Sequence, residues 1–212
     1  MKTSTLSSRA IPIWLKLAYT AFIAILIPVY WRQYGPTNFF YFCDVALLLT
    51  LAGVWLEHPL LISLPTVGIL MPQVLWCVDF AVQLSGGELT RSTKYMFDET
   101  IPRFTRGLSL YHGWMPFLLV YLVFKLGYDR RAFKGWSAFA AGLCVFSFFV
   151  LPKARNVNYV FGMEGVRPPH WMGTELYLVS WIAVLTVMVF LPTHALLKQF
   201  CPTPEEAAIK RG

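Results

Sequence analysis

Two neighbouring residues frame the chemistry open to this chain. In FFYFCDVALLLT, residues 39–50, the thiol of Cys43 and the carboxyl of Asp44 stand side by side in an apolar run. A cysteine acts as a nucleophile when a base removes its proton, and a carboxylate can orient an imidazole or answer a cation. The imidazole available is His112, in LYHGWMPFLL, with Ser109 one turn before it and Gly113 and Pro116 after it. Further polar side chains that could shape a site are Gln73 and Asp79 in an intervening apolar run, and Asn158, His170 and Glu175 in and after NVNYVFG. The charge of Asp44 opposes thiolate formation at its neighbour. Two arrangements therefore stay open: Cys43 as nucleophile with His112 as base, or Asp44 orienting His112 or binding a cation. Successive helical residues project about 100° apart, so only one of the pair is expected to point squarely into a shared cavity. Asp44, Asp79, His112, His170 and Glu175 are competent metal ligands, but no HxxxH or HExxH spacing is present, so neither a metal nor another cofactor is expected.

The elements that must hold these residues are membrane spans. Of 212 residues, 57% are hydrophobic, 17% aromatic and only 14% charged, and the mean hydropathy is +0.55. Apolar runs of the ~20 residues that cross a ~30 Å hydrocarbon core recur along the whole chain. The expectation is an all-α, polytopic membrane helical bundle of about six transmembrane helices, a single domain over 1–212, with spans near 12–31, 37–56, 60–84, 106–126, 133–151 and 174–197. Pro65 and Pro72 inside the third span are tolerated where neighbouring helices satisfy the freed carbonyls, which makes that helix central and kinked. The first run lacks a small-residue cleavage site, so it reads as a span rather than a signal peptide.

A formal charge of +7 does not imply nucleic acid, because the basic residues sit singly or in pairs at the ends of apolar runs, as interface anchors do. With an even number of spans both termini share one side. That side carries ten Lys and Arg against eight on the other, favouring cytoplasmic termini in a multi-pass protein of the bacterial inner membrane. Cys43, Cys77, Cys144 and Cys201 lie far apart and are expected to be reduced.

The two long connections, 85–104 and 152–170, emerge on the face opposite the termini. Asp44, Asp79 and His112 all lie within one to two turns of that face, with Arg155, Asn156, Asn158, His170 and Glu175 beside it. On the terminus side only Glu57, His58 and His194 were candidates, all near helix ends, and both histidines read as interfacial. An ionised group in hydrocarbon costs at least ~2.5 kcal/mol, so such residues turn toward a bundle interior or a wet cavity. The expectation is a hollow near one leaflet shared by Asp44, Asp79 and His112. The plainer alternative is a set of separate hydrogen bonds that fix helix packing, with Gln73, Trp76 and Cys77 as packing residues. A proton or cation path is disfavoured, since the terminus-side half offers almost no ionisable residue to continue a relay.

FFYFCDVALLLT, LYHGWMPFLL, NVNYVFG and PPHWMGTELYLVSWIAVL together resemble the YwaF-type bacterial integral membrane proteins. These are distantly similar to intramembrane lipid acyltransferases and androgen-inducible transmembrane hydrolases. The resemblance covers about half the chain. It implies a nucleophile on an early helix and a histidine on a later one, meeting in a cavity open to lipid and acting on acyl esters by transfer or hydrolysis. Carried onto this sequence, it makes Cys43 the nucleophile and His112 the base, with Asn158 and Tyr159 shaping the cavity; Asp44 directly after the cysteine departs from the pattern. The partners expected on either reading are membrane lipid and, for an accessory module, another membrane protein.

Overall fold

The computed structural model describes residues 10–163 and 171–210. It is built of helices, with no strand among the described residues. In chain order these are α1 (Ile13–Tyr34), α2 (Phe42–Leu56), α3 (Pro59–Leu84), α4 (Arg103–Leu108), α5 (Tyr111–Leu126), α6 (Ala132–Val150), α7 (Thr174–Val184), α8 (Leu191–Phe200) and α9 (Pro204–Ile209). Five helical segments of 19 to 27 residues, with α4–α5 and α7–α8 each counted as one, are long and apolar enough to cross a membrane. With the shorter α2 they make a helical membrane bundle of about six spans. Lipid-facing positions stay apolar: Phe117, Phe149, Val179 and Met188 are among the most exposed side chains.

α3 is the hub, packing against α2, α5, α6 and α8. It runs unbroken through Pro65 and Pro72. Gly68 is what lets α6 close on it, since a Cβ there would overlap the Trp136 indole, itself fully buried. The last span contains a π-helical stretch, Leu185–Phe190, between α7 and α8. Pro192 follows directly and has no N–H to return to the preceding turn, a common origin of such local rewinding.

The terminus-side end is tied shut. Glu57 accepts from the Ala10 backbone N–H at 2.9 Å and from Lys16 Nζ at 2.7 Å. Burial alone would push its carboxyl up, but those donors outweigh burial and hold it below the ordinary range. Asp129 accepts a fork from Arg131, and its own N–H donates to Ser63 Oγ at 3.0 Å. Tyr128 donates from its backbone to the Pro202 carbonyl at 2.7 Å, and its hydroxyl meets His194 Nδ1 at 2.6 Å. Gly127 sits at φ 89°, and the Thr203–Pro204 backbone lies where a Cβ would go. His194 also stacks on Phe133, so it is a packed residue and not a bare interfacial one.

α2 is the exception among the spans. Its 15 residues reach about 22 Å at 1.5 Å per residue, short of a ~30 Å hydrocarbon core. The deficit lies at its start, where a 3₁₀ turn, Pro36–Phe40, replaces α-helix. α5 likewise begins anew at Tyr111 after α4 ends at Leu108. Two helix N-termini are therefore set back on the long-loop side, and non-helical backbone at such depth is tolerated where it lines a cavity.

Candidate functional site

A cavity of about 570 Å³ occupies that recess. α1 contributes Tyr30 and Tyr34 from its last turns, the 3₁₀ turn Thr37 and Asn38, and α2 Cys43 and Asp44. Trp76 comes from α3, Ser92 and Tyr95 from the first long connection, Ser109 from the turn that ends α4, and Tyr111 and His112 from the start of α5. The segment 154–157 with Tyr159 closes the remaining wall. Tyr30 and Tyr34 reach it together because positions four apart share a helix face.

His112 is clamped. Its ring stacks between Trp76, at 4.8 Å, and Tyr111, at 4.1 Å. Trp76 is backed in turn by Phe80. His112 Nδ1 lies 2.8 Å from the Ser109 carbonyl. A carbonyl only accepts, so Nδ1 carries the proton and the lone pair is on Nε2. Ser109 is held by the Tyr30 hydroxyl at 2.6 Å.

Both members of the Cys43–Asp44 pair line the cavity, where one was expected. They sit in the first turn of α2, where each step along the helix also moves a side chain along the cavity wall. Asp44 is 3% exposed. Its Oδ2 accepts from Asn38 Nδ2 at 3.1 Å and faces the Cys43 thiol at 3.8 Å, while Oδ1 has no partner. Tyr34 Oη and Trp76 Nε1 are also buried without a hydrogen bond. Trp76 Nε1 lies near the Tyr95 hydroxyl without closing a bond to it. Burial holds the Tyr95 phenol well above its ordinary range. The thiol of Cys43 has Tyr111 beside it, and among the described residues no hydrogen bond joins Cys43 to His112.

Asp79 does not share the hollow, contrary to expectation. It is fully buried against the first long connection, accepting from Thr90 N at 2.6 Å, Ser92 Oγ at 3.1 Å, Thr93 N at 2.9 Å and Thr93 Oγ1 at 2.7 Å. With four donors it pins that loop over the end of α3. Gln73 is buried beneath, with neither amide atom bonded and no place on the cavity wall. Asn158 is a strut and not a lining residue. Its Oδ1 accepts from Phe42 N at 2.9 Å and its Nδ2 donates to Phe40 O at 2.9 Å. It thereby caps α2 from another segment, in place of Tyr41, which offers no side-chain cap. Glu175 stands exposed in the first turn of α7, away from the cavity. His170 lies outside the described residues.

Tyr159 does line the cavity, at φ 60°, and Asn156 and Asn158 are also left-handed at 40° and 56°. Asparagine tolerates that region; a tyrosine there is strained, and such strain gathers at functional sites. Tyr41 ties this segment to α2, its hydroxyl donating to the Arg155 carbonyl at 2.9 Å. The sequence reading missed Tyr30, Tyr34, Tyr95 and Tyr111 as cavity residues and left Trp76 to packing. The i, i+4 spacing of Tyr30 and Tyr34 at the end of α1 was the available signal.

No protein-family model matches the chain, and comparison with curated proteins and with solved structures finds no match.

Proposed function

We propose that this chain binds a membrane lipid, taking its polar headgroup into the cavity over α2 and α5, as a binding or accessory module. The observation that carries this reading is the unanswered Oδ1 of Asp44, in a carboxyl 3% exposed and facing some 570 Å³ of space. Nearly all buried polar atoms have partners, and an orphan beside a cavity suits a site whose ligand supplies the missing bond. Lipid is the favoured ligand because the recess exists only where α2 falls short of the hydrocarbon thickness. Cytoplasmic termini, from the slight excess of basic residues on that side, put the cavity in the outer leaflet of a bacterial inner membrane. The test is native mass spectrometry of the full chain released from gentle detergent. Wild type retains one lipid per chain, and Ala154→Trp, which fills the cavity from its exposed wall, loses it. Equal lipid on both proteins rejects the reading.

One observation favours lipid acyl chemistry as a second reading: Cys43 and His112 line the same cavity, and His112 keeps its lone pair on Nε2. In that reaction His112 takes the Cys43 proton and the thiolate attacks an acyl ester carbonyl. The resulting thioester forms as the alkoxide leaves with that proton, and water or a second alcohol then releases the acyl group. The thiol's position beside Asp44 works against it. Turnover of phospholipid that is unchanged in Cys43→Ala and in His112→Ala removes this reading.

A further inference from the structure

Resting on the lipid-binding reading, we infer that the headgroup is an ammonium–phosphate zwitterion, its ammonium at the Asp44 carboxyl and its phosphate toward Arg155. Among the described residues the cavity wall holds one carboxyl, that of Asp44, whose Oδ1 makes no hydrogen bond, and a bare anion would be repelled from that end. Its mouth carries the opposite sign. Arg155 lines the opening and is exposed, and no carboxylate among the described residues pairs with its guanidinium.

The wall between the two charges is phenolic. Tyr41 stands where both Asp44 and Arg155 act on its hydroxyl, and Tyr30, Tyr34 and Tyr95 line the same space. Aromatic rings around a carboxyl are the surroundings that hold alkylammonium groups, through ring quadrupoles and an opposing charge. Trp76 is not one of the cation-facing rings, since its faces are taken by Phe80 and His112. Its edge N–H lies beside the Tyr95 hydroxyl, and the Tyr34 hydroxyl is buried next to the same space without a hydrogen bond. The same chemistry could arrive as a phospholipid headgroup or as a free phosphoalkylamine.

Calorimetric titration of the purified full chain separates these. Short-chain phosphatidylcholine, short-chain phosphatidylglycerol and free phosphocholine are the probes, with wild type, Asp44→Asn, Arg155→Gln and Ala154→Trp as proteins. Wild type is expected to bind the choline lipid at least tenfold more tightly than the glycerol lipid. Asp44→Asn removes that preference by weakening the choline lipid alone, and Arg155→Gln weakens both lipids. The asparagine can still accept from Asn38, so its fold is retained. Should that variant fail to fold, the choline-to-glycerol ratio of wild type decides by itself. Phosphocholine within tenfold of the choline lipid assigns the free compound, and weaker binding assigns the lipid. Equal affinity of wild type for the two lipids, abolished by Ala154→Trp, overturns the zwitterion and leaves the lipid pocket standing. No binding of either lipid by wild type rejects both.

Discussion

Asp44 and Asp79 are the same residue type on the same side of the bundle, both buried, and they have opposite fates. Asp79 is met by four donors from a loop that folds over it. Asp44 is met by one amide and a thiol, and keeps one buried oxygen without a partner beside the cavity. The terminus-side end behaves like Asp79: Glu57 and Asp129 are answered by Lys16, Arg131 and backbone N–H groups. A carboxyl whose partners are all supplied by the chain holds the fold together. One left short of partners beside a cavity is available for binding.

Four measurements test that contrast. The largest effect is expected at Asp79→Leu, which strands the Thr90 and Thr93 N–H groups at roughly 1–3 kcal/mol each. Chemical denaturation should show a loss of about 2–4 kcal/mol, with Asp79→Asn milder. A loss below ~1 kcal/mol would mean the loop is held otherwise. Next comes Asn158→Ala, at the border between the closed and open regions. Freeing Phe42 N and Phe40 O should cost about 1–3 kcal/mol and weaken lipid retention by loosening the start of α2. Stability without retention loss would detach the strut from the cavity.

The terminus-side carboxyls give a smaller, pH-dependent effect. Glu57 is held low because its donors outweigh burial, and Asp129 chiefly by its Arg131 hydrogen bonds, with burial opposing. A depressed folded-state pKa contributes stability that is full above the unfolded values of about 4.3 for Glu and 3.9 for Asp, and is lost as pH falls through the folded ones. Thermal unfolding should thus be flat in this contribution from pH 7 to about 5. It should drop by ~1 kcal/mol at most on further acidification, and Glu57→Gln should remove part of that drop. A loss already complete above pH 5 would contradict the assignment. The smallest effect on stability is Asp44→Asn, within ~0.5 kcal/mol of wild type, since it removes a poorly answered buried carboxyl. Destabilisation as large as that of Asp79→Leu would erase the distinction between the two aspartates.

Much of the bundle was legible because hydropathy and length are local properties, and the lipid solvent admits few alternatives to a helix. The span at 60–84 and the central place of the proline-bearing helix follow from residues 59–84 alone. The start of α2 did not, because Thr37–Tyr41 is as apolar and aromatic as the helix it precedes; Gly35 and Pro36 hint at a turn but not at its length. Asp79 was placed in the cavity because depth can be counted along a helix, whereas the loop that folds back to satisfy it cannot. Tyr30, Tyr34 and Tyr95 were invisible as a group, since they come from two elements that sequence spacing does not relate.

From the sequence alone it follows that this chain crosses a membrane repeatedly and that Cys43, Asp44, Asp79 and His112 lie toward the long-loop side, because both depend on one helix at a time. Which of those groups share a space follows from how the helices and loops pack. Hydrogen-bond partners are recruited across helices and loops, and a donor such as Thr93 or Asn38 turns two similar aspartates into an anchor and an open acceptor.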